Sequence, residues 1–463
     1  MDSNHQKLHI AMFPWLAFGH MIPYLELAKL IAQKGHQISF ISTPRNIKRL
    51  PQLPPNLSSL ITFVKLPFPR VEDDLPEAAE ATIDIPQNKV MKLKKAYDAL
   101  QQPLTHFLQS SNPDWLLFDF VPYWAPTIAH NLGIPCAFFS IFIGACLAFA
   151  GPTSLEKYPD DRKNPEDYTV SPKWIPFPSN VAFHLFEVRR IYDQSMVGDE
   201  TNVSDVYRFM EGMKSCDVIA IRSCIEFEPE WLCLLQDIHR KTVLPVGQLP
   251  TTNNDENDQW GSISKWLDMQ LKGSVVYVAF GSEAMPSQEE ITTIAWGLEQ
   301  SELPFIWVLR TNLVKLPEGF EERIGGRGVV CRSWAPQLKI LGHDSVGVFL
   351  SHSGWSSVVE ALTFGRPLVL LTMSNDQGLN ARLLEERKIG YSIPRDEKDG
   401  SFTSDWVAES LKLLVIEMDE GKIYRDKAKE LKPLFGDRKK QDTYVHNFLE
   451  YLKAHGRSAS KKV

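Results

Sequence analysis

His20 and Asp119 are the first pair whose residue types and placement suggest chemistry. His20 closes PWLAFGH, just after the apolar run LHIAMF, and Asp119 ends WLLFDF behind four apolar or aromatic residues. A carboxylate at that depth needs a partner, because an unpaired buried charge is costly. An imidazole titrating near neutrality is the natural partner, and it is also a candidate acceptor for a substrate hydroxyl proton. A solvated helix-start histidine and a capping or surface aspartate are the competing readings. They weaken when both residues stand at strand ends.

A second constellation is LSHSGWSSVVE, residues 350–360. The apolar run VGVFL passes through SHSG into a helix expected to start near Trp355, whose first turn offers Ser356 and Ser357. Amides at a helix start, with His352 and hydroxyls beside them, suit an anion. Plain N-capping by Ser353 or Ser356 is the alternative. Gly281 and Ser282 end another strand in a similar turn, a weaker phosphate signal because such turns commonly use Gly and Ser.

These residues need strands to position them, and the chain supplies two sets. LHIAMF (8–13), QISFIST (37–43), ITFVKLP (61–67), WLLFDF (115–120), CAFFS (136–140) and DVIAIRS (217–223) alternate with helical patterns, the first of which stops at Gly35. At VLPVGQLP the alternation ends, and the polar stretch 251–262 reads as a linker. The alternation restarts with SVVYVAFGS (274–282), PFIWVLR (304–310), GVVCRSW (328–334), VGVFLSHSG (346–354) and PLVLLT (367–372). The expected fold class is α/β, with two doubly wound, Rossmann-like lobes over 1–250 and 263–437. A terminal amphipathic helix over 438–455 needs a partner for Tyr444, Phe448, Leu449 and Leu452, and 456–463 reads as a solvated tail. Ligands of such sheets bind at the carboxyl ends of the strands, where the residues above stand.

Composition narrows the class. A chain of 463 residues with a formal charge of −7 and no long single-sign run argues against nucleic acid as a partner. No run of about 18 uncharged apolar residues suggests a membrane span. The start, MDSNHQKLHIAMFPW, lacks the pattern of a secretory leader. Six cysteines without metal-binding spacing read as reduced, mostly buried thiols. A monomer in the cytoplasm is the expectation. No DxD occurs and no carboxylate cluster follows a C-terminal-lobe strand except at Asp376, so no metal is expected. A nicotinamide enzyme would show GxGxxG after its first strand, where PWLAFGH stands instead.

Taken together, these segments resemble the plant UDP-dependent glycosyltransferases of family 1. Their signature box runs from a Trp to an acidic-Gln pair, and here WAPQLKILGHDSVGVFLSHSGWSSVVEALTFGRPLVLLTMSNDQ spans Trp334 to Gln377, 44 residues. The likeness extends to PWLAFGHMIP, the FGS turn, LPEGF and DQGLNARLLEE. It implies a GT-B fold, with the acceptor on the first lobe, a UDP-sugar co-substrate on the second, no resident cofactor, and the last helix crossing back to the first lobe. By that resemblance Trp334 stacks on uracil, and Gln337 and Glu360 hold the ribose. His352, Ser357 and Ser282 hold the diphosphate, Ser356 stands where an amide usually reaches the phosphate, and Trp355, Asp376 and Gln377 meet the sugar. His20 is then the base and Asp119 its support in an inverting transfer.

Two departures stand out: HSGWSS where the family usually has HCGWNS, and Leu371-Thr372 where it usually has Trp-Pro. Both resemble the branch that adds a sugar to an already glycosylated natural product, from UDP-glucose or UDP-rhamnose. Transfer to an aglycone hydroxyl, or UDP-sugar binding without catalysis, are the alternatives. SIFIGACLAFAG (140–151) and VAFHLFEVRRIYDQ (181–194), with Arg189 and Arg190, are the candidate acceptor-lining segments.

Overall fold

The structure, a computed structural model, describes residues 7–70, 75–199, 202–251, 260–281, 286–309 and 314–457. The N-terminal sheet contains β1 (His9–Phe13), β2 (Gln37–Ser42), β3 (Ile61–Lys65), β4 (Trp115–Phe118), β5 (Cys136–Ser140), β6 (Val218–Ile221) and β7 (Val243–Pro245), all parallel, in the spatial order β3-β2-β1-β4-β5-β6-β7. The C-terminal sheet contains β8 (Val275–Ala279), β9 (Phe305–Val308), β10 (Gly328–Cys331), β11 (Val346–Ser351), β12 (Leu368–Leu370) and β13 (Gly390–Ser392), also parallel, ordered β10-β9-β8-β11-β12-β13. Central strands such as β4 and β8 are buried along their whole length, which is why they read as continuous apolar runs.

Within these two sheets periodicity missed two strands, β7 and β13. Each is three residues long at a sheet edge, and one ends in proline while the other begins with glycine. Edges tolerate such residues because one side of the ladder is unpaired. Several strands also stop earlier than their apolar runs. β4 ends at Phe118 and β11 at Ser351, so Asp119 and His352 are the first residues beyond the ladder.

Seven helices matter for the site. They are α1 (Phe18–Gln33), α2 (Gly144–Ala150), α3 (Leu185–Tyr192), α4 (Gln337–Gly342), α5 (Trp355–Thr363), α6 (Gln377–Glu386) and α7 (Arg438–His455). Gly35, at φ +87°, accommodates the left-handed turn that ends α1. Among the described residues no helix is long and apolar enough to cross a membrane. All six cysteines are free thiols; five are buried and Cys233 is exposed.

Helix α7 leaves the second sheet and packs on the first lobe. Val445, Phe448, Leu449 and Leu452 join a core that includes Leu8, Met21, Leu25 and Trp115, and the Trp115 indole N–H donates to the Leu452 carbonyl at 2.9 Å. Tyr444, on the same apolar face, packs half-buried against the neighbouring core. Its hydroxyl donates to Glu226 at 2.6 Å and accepts the Ile225 N–H at 2.9 Å, while Val445 takes the inner position. Removing the ring of a residue buried like Phe448, 1 % exposed, is expected to cost about 3–5 kcal/mol, measured by chemical denaturation. Asn447→Ala, on the exposed side of the same helix, should change stability by less than about 0.5 kcal/mol.

Candidate active site

The carboxyl edge of the first sheet holds the histidine and the aspartate together. His20 lies in the first turn of α1, and Asp119 follows β4, the strand paired to β1. His20 Nδ1 lies 2.7 Å from Asp119 Oδ2. Asp119 is fully buried, and its carboxylate also accepts the Trp15 N–H at 3.0 Å and the Phe120 N–H at 2.8 Å. A carboxylate beside Nδ1 selects the tautomer with its proton there, which leaves the basic lone pair on Nε2. Tyr97 braces the loop that carries this pair by stacking on Phe13 at 4.9 Å and donating to the Pro14 carbonyl at 2.9 Å.

Around the imidazole stands an aromatic wall. Phe142 meets His20 edge-on at 5.3 Å, Phe120 lies at 5.6 Å, and Phe209 stacks on Phe120 at 4.5 Å. Nearby, the Glu228 carboxylate accepts the Gly144 and Ala145 N–H groups and the Ser223 hydroxyl, and so fixes the start of α2. Burial pushes Glu228 up to about 7 against the pull of those donors. The candidate residues Arg189 and Arg190 are exposed: Arg189 pairs with Glu166 at 3.2 Å, and Arg190 donates to the Met373 carbonyl at 3.4 Å.

Across the cleft, α5 starts without a side-chain cap; its N-cap is Gly354. Capping by Ser353 or Ser356 is therefore not what occupies the first turn. Ser353 is wholly buried at φ +69°, and its hydroxyl has no hydrogen-bond partner among the described residues. The His352 ring lies over this turn between two glycines. A Cβ at Gly354 would meet its Nε2 at 2.3 Å, and one at Gly281 its Cε1 at 2.7 Å. Ser357 is buried in the same turn, and Glu360 follows three residues on, on the same helix face. Glu360 accepts the Gln337 amide at 2.5 Å and the Thr251 hydroxyl at 3.0 Å, while Tyr277 donates to the Gln337 carbonyl oxygen at 3.1 Å. Trp334, in the turn before α4, presents an indole that is 54 % exposed. Ser282 lies outside the described residues.

Two residues expected at the donor also make side-chain contacts with the first lobe. The Trp355 indole is 3 % exposed, donates to Gln248 Oε1 at 3.2 Å and packs on Phe227, so it seals the lobes together. Ser356 likewise turns toward the first lobe, where its hydroxyl accepts from Arg222 at 2.8 Å. Gln377 has already committed its amide oxygen to the Met373 and Ser374 N–H groups, at 2.8 and 3.1 Å, so its NH2 group is what remains for a ligand. Asp376 accepts from Asn380 at 2.7 Å; burial pushes its carboxyl up, while Asn380 and nearby His20 pull it back.

Several residues that shape the site had no periodic signature, among them Arg222, Gln248, Thr251, Tyr277 and Glu187. Arg222 had a readable signal. It follows an apolar strand just as Asp119 does. Among the described residues one group could ligate a metal, His130, Cys136 and Asp217. Cys136 begins β5 and Asp217 precedes β6, so this group stands at the opposite edge of the sheet from His20.

The site thus combines an imidazole paired to a buried carboxylate on the first lobe with a helix start without a side-chain cap and a Gln337–Glu360 pair on the second. The family model described as UDP-glucoronosyl and UDP-glucosyl transferase matches residues 17–455. UDP-glycosyltransferase 91A1 of Arabidopsis thaliana is 54 % identical over 97 % of this chain and 98 % of that protein. The soyasaponin III rhamnosyltransferase of Glycine max is 41 % identical over 97 % and 96 %. A Glycyrrhiza uralensis UGT, solved with glycyrrhetinic acid 3-O-monoglucuronide, superposes with a TM-score of 0.79 at 23 % identity, covering 97 % of this chain and 96 % of that one, which shows the shared GT-B fold. The chain thus belongs to the UDP-glucoronosyl and UDP-glucosyl transferase family, and is a plant UDP-glycosyltransferase with two Rossmann-like lobes.

Proposed function

We propose that this enzyme transfers a sugar, with inversion and without a metal ion, from a UDP-sugar to a hydroxyl of a specialised metabolite that already carries a sugar. The observation that carries the chemical step is the His20–Asp119 pair at 2.7 Å on the cleft edge. His20 Nε2 takes the acceptor proton, the oxygen attacks the anomeric carbon from the face opposite the diphosphate, and UDP leaves. Asp119 stabilises the imidazolium, with two backbone amides holding its carboxylate in line.

The donor lies along α5. Its diphosphate meets the uncapped first turn with His352, Ser357 and Ser282. Gln337 and Glu360 hold the ribose diol, and Trp334 covers the uracil. Charge developing on the departing diphosphate is then met by oriented amides and hydrogen-bond donors. Asp376 and the Gln377 NH2 group bind the sugar. The apolar scaffold of the acceptor rests on Phe120, Phe142 and Phe209, and the saponin acceptor named for the Glycine max relative supports an acceptor of that size. We place the enzyme in the cytoplasm as a monomer.

His20→Ala should lower kcat about 100- to 10,000-fold while UDP affinity stays near wild type, read by UDP release over glycosylated and unglycosylated acceptors. Loss of UDP binding in step with activity would count against the base assignment. Asp119→Asn should produce a loss of similar order, because an amide NH2 facing Nδ1 reverses the tautomer. Product anomeric configuration, read by NMR coupling constants, should be inverted relative to the donor; retention would overturn the mechanism. EDTA should leave the rate unchanged, and a loss restored by a divalent ion would refute metal independence.

A further inference from the structure

A cation sits at the foot of α5, and among the described residues its hydrogen-bond partners are all neutral. Arg222 follows β6, is 1 % exposed, and spends its guanidinium on neutral partners: Nε donates to the Gln248 carbonyl at 2.8 Å, Nη2 to the Leu249 carbonyl at 3.3 Å, and Nη1 to Ser356 Oγ at 2.8 Å. Among the described residues no carboxylate oxygen lies within 4.0 Å of it. Burial draws its pKa down to about 10, partly offset by the more distant Glu360 and Glu26, so it stays charged at neutral pH. A buried cation with only dipoles around it is costly to keep, and an anion placed nearby offsets that cost.

The place where an anion would do so is specific. Ser356 is the second residue of α5, in the turn that has no side-chain cap. Its oxygen accepts from Arg222, so its own proton is left to donate onward, and a charged donor behind a hydroxyl strengthens the bond that hydroxyl makes next. Helix dipole, uncapped amides and the guanidinium favour negative charge at one spot, and the guanidinium comes from the opposite lobe.

We propose that Arg222 is a positioning residue for the donor diphosphate, acting from the N-terminal lobe through the Ser356 hydroxyl. This rests on the assignment of the α5 start as the diphosphate cradle. The alternative role for Arg222 is purely structural, fastening the Gln248–Leu249 segment beneath α5. The two differ in what they do to ligands. A charge relayed to the diphosphate matters for UDP and not for uridine, whereas a loosened seam disturbs the cradle for both.

Calorimetric titration of UDP and of uridine into the wild type, Ser356→Ala, Arg222→Lys and Arg222→Met tests this. Arg222→Met should weaken UDP about 10- to 100-fold and Ser356→Ala about 10-fold, with uridine affinity within about 2-fold of wild type in both. Arg222→Lys should recover part of the loss, and Ser356→Ala should add little in the Arg222→Met background because both act on one relay. If Arg222→Met fails to fold, Ser356→Ala decides, since it leaves both carbonyl contacts of Arg222 in place. Equal loss of UDP and uridine, or unchanged UDP affinity in Ser356→Ala, would overturn the proposal. Wild type that binds uridine as tightly as UDP would overturn the cradle itself, and the proposal with it.

Discussion

The carboxylate of Asp119 is the constraint around which the first lobe is organised. It is fully buried, so each of its oxygens needs donors, and three arrive from separate pieces of backbone and side chain: Trp15 N–H, Phe120 N–H and His20 Nδ1. Trp15 lies in the loop after β1 and His20 in the first turn of α1. Satisfying one anion therefore fixes the path of the β1–α1 connection over the end of β4. The imidazole is oriented by the same bonds that make the anion tolerable.

The second lobe solves the opposite problem. Its key helix, α5, begins with amides that no side chain caps, and the residues that might have capped it are directed elsewhere, Ser353 into the core and Ser356 toward Arg222. The segment 248–251 threads beneath α5, where Gln248 meets Trp355, Leu249 meets Arg222 and Thr251 meets Glu360. The connection between the lobes thus contacts α5 at Trp355 and at Glu360. Helix α7 adds a second connection, burying Phe448 and Leu452 against the first sheet.

Much of this was legible in the sequence because the strongest signals are long or chemically costly. Fully buried parallel strands must be apolar throughout, so eleven of the thirteen strands described above stood out as runs. Asp119 stood out because a carboxylate after such a run demands a partner. What periodicity could not supply were edges three residues long, such as β13, and contacts made across the cleft. Nothing local in SGWSS says whether Trp355 faces a ligand or Phe227, because the answer depends on a residue well over a hundred positions away. Tyr444 packs on a core as its apolar stripe suggested, but the bond of its hydroxyl to Glu226, more than two hundred positions away, was not legible for the same reason.

The loop from Leu371 to Gln377 is held by long-range contacts of this kind. Thr372 donates to Glu187 on α3 at 2.6 Å, its carbonyl accepts from Arg395 at 2.5 Å, and the Met373 carbonyl accepts from Arg190. Glu187 in turn caps its own helix through the His184 N–H at 2.9 Å and leaves no room for a Cβ at Gly378, which a Cβ would bring within 2.4 Å of Oε2. The loop that ends in Asp376 and Gln377 is therefore anchored to a helix of the opposite lobe. A change at Glu187 on α3 would move this loop and the start of α6 together, because Thr372 and Gly378 both pack against the same carboxylate.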